Sequence, residues 1–179
     1  CSDGETVLKD GARLIQNLEQ TLSVTNPESD TSRINQNAGS PVEISEDTSV
    51  LIQEALQIGD ASHGALDVTI YPVLKAWGFT TQEYQIPDEK TIQNLLSHVD
   101  YTQIQLDGNT VTVPEHVQMD FGALAKGYTS DKLMQLFREH GAESAIVSLG
   151  GNVQALGRKQ DGSLWKVAIR DPENESGFM

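Results

Sequence analysis

A chain of 179 residues is long enough for one domain, and 37% hydrophobic residues in patterned segments exclude a chain that is disordered throughout. The formal net charge of −14 argues against nucleic acid as a partner, because phosphate backbones are bound by clustered Lys and Arg. The same charge disfavours a free nucleotide unless basic groups or a divalent cation stand beside it.

The first residue and the apolar runs bear on membrane attachment. Cys1 is the one cysteine of the sequence, so it cannot form a disulfide within the chain. A cysteine at this position fits a lipid anchor exposed by removal of a signal peptide, and it also fits a boundary inside a longer protein. No run of about 18 apolar residues occurs, so the sequence predicts no membrane-spanning segment.

Four segments have the spacing of apolar residues that is typical of helices. Residues 6–23 and 45–62 repeat apolar side chains on one helical face, and the second segment opens with capping and acidic residues. We expect a third helix over 87–99 and a fourth, amphipathic helix over 130–142.

The remaining segments read as loop and strands. Residues 24–41 are polar and predict a long loop, which in a compact domain is often functional. Alternating apolar residues on both sides of Asp107-Gly108-Asn109 predict a hairpin. Residues 143–156 and 163–171 resemble strands, and the apolar centre of the first predicts burial on both faces. Helices followed by strands favour an α+β fold, with helices layered on a largely antiparallel sheet.

Two common ligand signatures are absent from the sequence. The four histidines lack zinc-ligand spacing and are expected at the surface or as caps: His63, His98, His116 and His140. "GALAKGYTSD" (122–131) lacks the Walker spacing, and "SLGGN" (148–152) lacks G-x-G-x-x-G. Gly150-Gly151 is therefore predicted to be a tight turn or a bulge.

The stretch "GALDVTIYPVLKAWGF" (64–79) places one carboxylate among apolar residues. Asp67 fits a cap for a nearby loop, and it equally fits a hydrogen-bond acceptor for a ligand. Trp77 and Phe79 are interpreted as core residues rather than as part of a cofactor site.

Four stretches together are more informative than any one of them. "SDTSRIN" (29–35), "GALDVTIYP…WGF" (64–79), "MDFGALAKGYTSD" (119–131) and "SLGGNVQALG" (148–157) follow one another in this order. This set resembles the ApbE-type family of FAD:protein FMN transferases, formerly described as thiamine-biosynthesis lipoproteins. The resemblance runs from about Asn17 to Asp171, and its most specific part is D-x-G-x-x-A-K-G-Y-x-x-D.

The resemblance implies a fold, a reaction and its participants. The expected fold is a single ApbE-like (T-fold-like) domain over residues 1–179, truncated at its C-terminus and amounting to the N-terminal two-thirds of the family's length. The implied reaction transfers FMN from FAD to a Thr or Ser hydroxyl of an acceptor protein and releases AMP. FAD would be the substrate and Mg²⁺ the cofactor. Neutralisation of the phosphates by Mg²⁺ would reconcile an acidic protein with an anionic ligand.

The resemblance also implies binding residues by their place in the motifs. It places FAD against six residues: Thr25, Ala65, Leu66, Asp67, Asp120 and Lys126. At the family's metal-binding position stands Ala123, which can offer Mg²⁺ only its backbone carbonyl. Thr25 occupies a place where many relatives carry Tyr against the flavin ring. Ser32 and Asn35 are expected to hold the loop 24–41 through local side-chain to backbone bonds.

The sequence departs from the family in what it lacks. The H-x-x-D-P-x-T-G element with its catalytic histidine is absent, as are the later Asp and Thr metal ligands. The resemblance therefore implies no catalytic residue within this chain and an inactive fragment. It also favours Cys1 as an internal residue over a lipid anchor, and such an anchor would be the only contact with a membrane.

Other activities remain open at this level. A FAD pyrophosphatase would give FMN and AMP from the same site, and a flavin-binding protein without activity would leave FAD intact. A plain interaction domain would bind no flavin. Family habit suggests an extracytoplasmic, membrane-associated protein.

Overall fold

The computed structural model describes residues 4–174 and residue 177, so Cys1 lies outside the described residues. The chain forms two compact units, one of Ile15–Ala125 and the other of Cys1–Leu14 with Lys126–Met179. Within residues 4–174, no helix combines the length and apolar character needed to traverse a bilayer.

The helices are α1 (Gly4–Leu22), α2 (Asp30–Gln36), α3 (Glu46–Ala61), α4 (Tyr71–Ala76), α5 (Glu89–Leu96) and α6 (Ala125–Glu139), with a 3-10 turn at Tyr101–Gln103. The strands are β1 (Val42–Glu43), β2 (Gln105–Asp107), β3 (Thr110–Thr112), β4 (Ser144–Leu149) and β5 (Asn152–Gly157).

Three of the predicted helices are confirmed as α1, α3 and α5. At the start of α3 and of α5, a side chain accepts a hydrogen bond from a backbone N–H of the first turn that has no partner within the helix. Such a bond stabilises a helix N-terminus. Ser45 accepts from the N–H of Thr48 at α3, and Asp88 accepts from the N–H of Thr91 at α5.

The Ile15–Ala125 unit contains a three-stranded antiparallel sheet in the order β1-β3-β2. Asp107 pairs with Thr110 across a two-residue turn, which confirms the predicted hairpin. Gly108 has a φ of +57° there, a conformation that glycine adopts without steric cost. The core of this unit is apolar and includes Leu51, Ile52, Val111, Val117, Met119 and Phe121, each fully buried.

The other unit packs the first part of α1 against α6. A Cβ built on Gly11 would lie 3.2 Å from Cδ2 of Leu133 and 3.4 Å from Cε1 of Phe137, so a glycine allows this close approach. α6 begins five positions earlier than predicted, at Ala125 instead of residue 130. It ends before Gly141, which has a φ of +72° as expected of a helix stop.

Several predictions for strands and loops were wrong. Residues 143–156 form two antiparallel strands, β4 and β5, rather than one strand. The turn between them lies at Gly150-Gly151, where the sequence predicted a tight turn or a bulge. β4 is not buried on both faces, since Ile146 is 45% exposed. Residues 163–169 form no strand. Strand-like alternation could not reveal that this segment lacks a ladder partner among the described residues.

The loop predicted over 24–41 contains α2, and α4 and β1 were not anticipated. α2 begins at Asp30, and its cap Ser29 accepts from the N–H of Ser32. Asp30 is buried at 7% exposure and accepts hydrogen bonds from the N–H of Ser45 (2.8 Å) and from Oγ1 of Thr48 (2.7 Å). It also pairs with Arg33. This carboxylate therefore joins α2 to the start of α3.

The segment after α4 is a tight aromatic loop rather than core. The Trp77 and Phe79 rings stack with centroids 6.4 Å apart, but Phe79 is 56% exposed, so its assignment to the core was wrong. Trp77 is half-buried. Gly78 has a φ of +77°, and a Cβ there would lie 2.0 Å from the Glu83 carbonyl oxygen. Backbone therefore approaches backbone too closely for any other residue.

We expect Gly78→Ala to destabilise the protein more than Gly108→Ala. Both positions have positive φ, but a Cβ at Gly108 meets nothing within 4 Å. Gly108→Ala, the control, should lose about 1 kcal/mol of unfolding free energy from backbone strain alone. Gly78→Ala should lose at least about twice that. Urea denaturation followed by circular dichroism measures both. Equal losses would show that the contact with Glu83 has no energetic effect.

We expect Asp30→Asn to lower the unfolding free energy by about 1–3 kcal/mol at neutral pH. Burial by itself raises the pKa of Asp30, but the hydrogen bonds from Ser45 and Thr48 and the pairing with Arg33 outweigh it, so the pKa is lowered. A lowered folded-state pKa stabilises above the unfolded-state value of about 4, and this contribution is lost as pH falls through the folded-state pKa.

The difference between wild type and Asp30→Asn should therefore be largest above about pH 5 and shrink at lower pH. Asp107→Asn, which removes an exposed carboxylate, serves as the control. Denaturation series from pH 6 to pH 2 would contradict the prediction if the difference for Asp30→Asn stayed constant.

Candidate functional site

Three of the four sequence stretches meet inside the Ile15–Ala125 unit. The side-chain amide of Asn35 brackets the backbone of Met119: Nδ2 donates to the Met119 carbonyl (2.8 Å), and Oδ1 accepts from its N–H (2.6 Å). Next to it, the N–H of Asp120 donates to the carbonyl of Val68 (2.8 Å), and Ile70 forms an isolated β-bridge with Gln118. "SDTSRIN", "GALDVTIYP" and "MDFG" therefore converge on residues 118–120.

The role expected for Ser32 is confirmed and that for Asn35 is wrong. Ser32 Oγ donates to the Val24 carbonyl (3.0 Å) and holds the segment before α2. Asn35 instead bonds to Met119, 84 positions away along the chain. No local pattern in the sequence signals a bond of that range.

Asp120 is half-buried and shaped by its own turn. Its Oδ2 accepts from the N–H of Gly122 (2.9 Å), and a Cβ built on Gly122 would lie 2.8 Å from that oxygen. The glycine of D-x-G thus leaves room for the carboxylate to fold over the turn.

The negative charge of Asp120 affects the pKa of Tyr71, the first residue of α4. Burial raises the pKa of the Tyr71 hydroxyl most, a hydrogen bond with Thr80 lowers it, and the negative charge of Asp120 raises it further. The ammonium of Lys75 lies 4.9 Å from the centre of the Tyr71 ring. α4 therefore brings a phenol and a cation to the neighbourhood of Asp120, which sequence reasoning missed because it predicted no helix here.

Ala123 lies in the exposed turn that leads into α6. Its carbonyl oxygen accepts no backbone hydrogen bond from residues 4–174, which fits the hard oxygen donor that Mg²⁺ prefers. However, nowhere in the described part of the chain do three His, Cys, Asp or Glu residues form a group that could hold a metal ion. The described residues alone do not complete a magnesium site.

Asp67 uses both carboxylate oxygens within the protein. Oδ1 accepts from the N–H (2.8 Å) and the hydroxyl (2.6 Å) of Thr69, and Oδ2 accepts from the N–H of Tyr101 (3.0 Å). The fully buried hydroxyl of Thr69 in turn accepts from the N–H of Asp100 (2.9 Å). Of the two interpretations of Asp67, the structure shows the loop cap, and a flavin contact stays a prediction.

The other predicted flavin contacts lie on surface turns. Ala65 is exposed and Leu66 half-buried, and both donate backbone N–H groups to Ser62 in the turn after α3. Thr25 is exposed, and its hydroxyl hydrogen-bonds with that of Ser23 (3.0 Å). It borders a depression of about 340 Å³ at the end of α1. Among the described residues, no hydrogen bond joins Thr25 to the other predicted contacts.

The remaining motif residues meet in the unit that contains Lys126–Met179. Lys126, the second residue of α6, is exposed, and its Cδ would lie 3.7 Å from a Cβ built on Gly150. A Cβ on Gly127 would lie 3.9 Å from Nδ2 of Asn152. The first turn of α6 therefore meets the β4–β5 turn, so "AKG" and "SLGGN" form one surface. Helix N-terminal N–H groups and a lysine are suited to bind a phosphate.

Comparison with known proteins bears on this convergence of motifs. The model of the ApbE family matches residues 3–179. The FAD:protein FMN transferase of Treponema pallidum is 34% identical over 176 residues, which cover 89% of this chain and 49% of that protein. The FAD:protein FMN transferase of Vibrio cholerae is 28% identical, with 96% of this chain and 52% of that protein covered.

Solved structures agree with the fold. The flavin transferase ApbE from Vibrio cholerae superposes with a TM-score of 0.87 at 27% identity, over 95% of this chain and 56% of that one. The ApbE protein from Thermotoga maritima gives a TM-score of 0.91 at 27% identity, over 97% of this chain and 58% of that one.

The chain spans about half the length of the curated relatives it matches. The α+β fold with antiparallel sheets and the resemblance found in the motifs are both confirmed. The family model covers nearly the entire sequence, and the chain belongs to the ApbE family.

Proposed function

We propose that this chain supplies the flavin-binding part of an enzyme that transfers FMN from FAD to a Thr or Ser hydroxyl of an acceptor protein. The relatives named FAD:protein FMN transferase support flavin transfer in general. The observation that carries the proposal is that the family's motif stretches meet within each unit. Asn35 and Val68 bond to the Met119–Asp120 backbone in one unit, and Lys126 lies against Gly150 in the other.

The proposed reaction is an exchange at phosphorus. A phosphoester bond forms between the acceptor oxygen and the phosphorus of the FMN half, and the phosphoanhydride bond to AMP breaks. AMP leaves with the electron pair, and the hydroxyl proton is released. Such a reaction depends chiefly on positioning and on neutralising the charge of the phosphates.

The residues of this chain would bind and orient FAD. Asp120, held over its turn by Gly122, would accept hydrogen bonds from the flavin nucleotide. Lys126 and the first turn of α6 would face the pyrophosphate with positive charge. Ala65 and Leu66 would contact the nucleotide by packing, and Asp67 would keep their turn in place through its bonds to Thr69 and Tyr101.

Magnesium dependence is part of the proposal and rests on the family resemblance. Ala123 would give Mg²⁺ one carbonyl oxygen. An extracytoplasmic, membrane-associated location is proposed on the same family grounds.

We expect the chain to bind FAD, and Asp120→Ala and Lys126→Gln each to weaken binding by about tenfold or more, because each removes a charge-assisted contact. Quenching of flavin fluorescence on titration measures the affinity. Asp88→Asn and Lys132→Gln, which change the carboxylate that caps α5 and another lysine of α6, are the controls. Unchanged affinity in both site variants would contradict the proposed contacts, and no binding by the parent chain would indicate an interaction domain.

We expect the 179-residue chain to leave FAD intact, since it lacks the family's H-x-x-D-P-x-T-G element. The assay incubates it with FAD, Mg²⁺ and a Thr-containing acceptor peptide, followed by chromatography and mass spectrometry of the peptide. The Treponema pallidum relative, run in parallel, should attach FMN to the peptide and release AMP, and EDTA should stop it. Turnover by the short chain would contradict this expectation.

Two other product patterns would replace the proposed activity. FMN and AMP formed without acceptor would indicate a FAD pyrophosphatase. FAD bound but left intact by the complete enzyme in the presence of Mg²⁺ would indicate a flavin-binding protein that does not catalyse transfer.

A further inference from the structure

Two histidines that are distant in the sequence face each other in the Ile15–Ala125 unit. The rings of His98 and His116 have centroids 5.0 Å apart and planes inclined by 51°. His98 follows the end of α5, where its N–H donates to the Leu95 carbonyl (3.0 Å). His116 lies in a turn closed by the bond from the N–H of Val117 to the Pro114 carbonyl (2.9 Å). Both histidines are surface residues as expected, but the sequence did not indicate that these two lie together.

Neither imidazole is engaged by the rest of the described chain. No hydrogen bond or ion pair joins the His98 or His116 ring to another residue within the described ranges, whereas His140 lies 4.0 Å from Asp10. His116 is exposed and His98 is half-buried, so solvent reaches the pair. The ring nitrogens are therefore available to a ligand.

The spacing of the rings fits two imidazoles on one ion. With metal–nitrogen distances of about 2.1 Å and an angle near tetrahedral, the ring centres of two ligating histidines lie about 5 Å apart. The 51° inclination also differs from parallel stacking, which would bring the ring faces into contact. The distance and the inclination are therefore compatible with one ion between the rings, and the distance is also that of an ordinary aromatic contact.

We propose that His98 and His116 form a binding site for a first-row transition-metal ion of the Zn²⁺, Ni²⁺ or Cu²⁺ type. Neutral imidazole is a preferred ligand of these ions, whereas Mg²⁺ prefers oxygen. No third His, Cys, Asp or Glu completes a group with them in the described part of the chain, so water or an added ligand fills the other positions. The site is thus open and distinct from the proposed Ala123 contact.

Metal binding at this pair would join the two segments that lead into the candidate flavin site. Asp100, two positions after His98, donates its N–H to Thr69, which in turn bonds to Asp67. The chain after His116 runs directly into the Gln118–Asp120 segment held by Asn35. An ion that binds the folded state alone stabilises it, so occupancy should raise the melting temperature of the protein.

The test uses the full chain with Cys1→Ser, which removes its one thiol as a competing ligand. Isothermal titration with NiCl₂ should show one saturable site, and excess Mg²⁺ should not displace the ion. Loss of a residue that only hydrogen-bonds to a metal ligand already lowers the affinity for the metal about tenfold or more. His98→Gln and His116→Gln, which each remove a ligand, should therefore weaken Ni²⁺ binding by at least that factor. His63→Gln and His140→Gln are matched controls and should bind as the parent does.

A second measurement identifies the ligands directly. Electron paramagnetic resonance of the Cu²⁺-loaded chain should show coupling to two imidazole nitrogens, reduced to one in either site variant. Circular dichroism without metal checks that the variants fold, and His98→Asn replaces His98→Gln if the latter does not. Absence of saturable binding, binding unaffected by both site variants, or equal loss in His63→Gln would overturn the proposal.

Discussion

The pairing of the Asn35 amide with the backbone of Met119 is the constraint on which the candidate site depends. Met119 is fully buried, and buried backbone N–H and C=O groups are costly unless they are hydrogen-bonded. Asn35 satisfies both groups at once, at 2.6 and 2.8 Å, and so ties α2 to the segment before α6. Asp120 follows immediately, which makes its position a consequence of this bond and of the bond to Val68.

The same principle explains why so many motif residues have structural partners. Asp67, Asp120 and Asp30 all accept backbone N–H groups, and each thereby organises a turn or a helix start. A carboxylate that is oriented in this way costs little further entropy when it meets a ligand, because its rotamer is already selected. In an ApbE-family chain of net charge −14, overall attraction does not favour an anion, so the proposed binding of FAD would depend on groups in fixed positions.

The comparison between sequence and structure is instructive at particular elements. α3 and the Gly108 hairpin were predicted because capping and turn chemistry are local. Residues 163–169 have an equally good strand pattern and form no strand, since a ladder depends on a partner that alternation does not identify. Trp77 and Phe79 were assigned to the core, but Phe79 is exposed and belongs to a loop in which Gly78 approaches the Glu83 backbone closely.

The sequence by itself determined the family, the main helices and the residues proposed to bind FAD, because motif order and helical periodicity are patterns of the sequence itself. Only the tertiary structure decided that Asn35 reaches Met119, that Asp67 caps the Tyr101 turn, and that His98 and His116 form a pair. The physical reason is the same in each case. Hydrogen bonds and ring contacts act over a few ångströms in space, and which distant residues come that close is set by the packing of the whole unit.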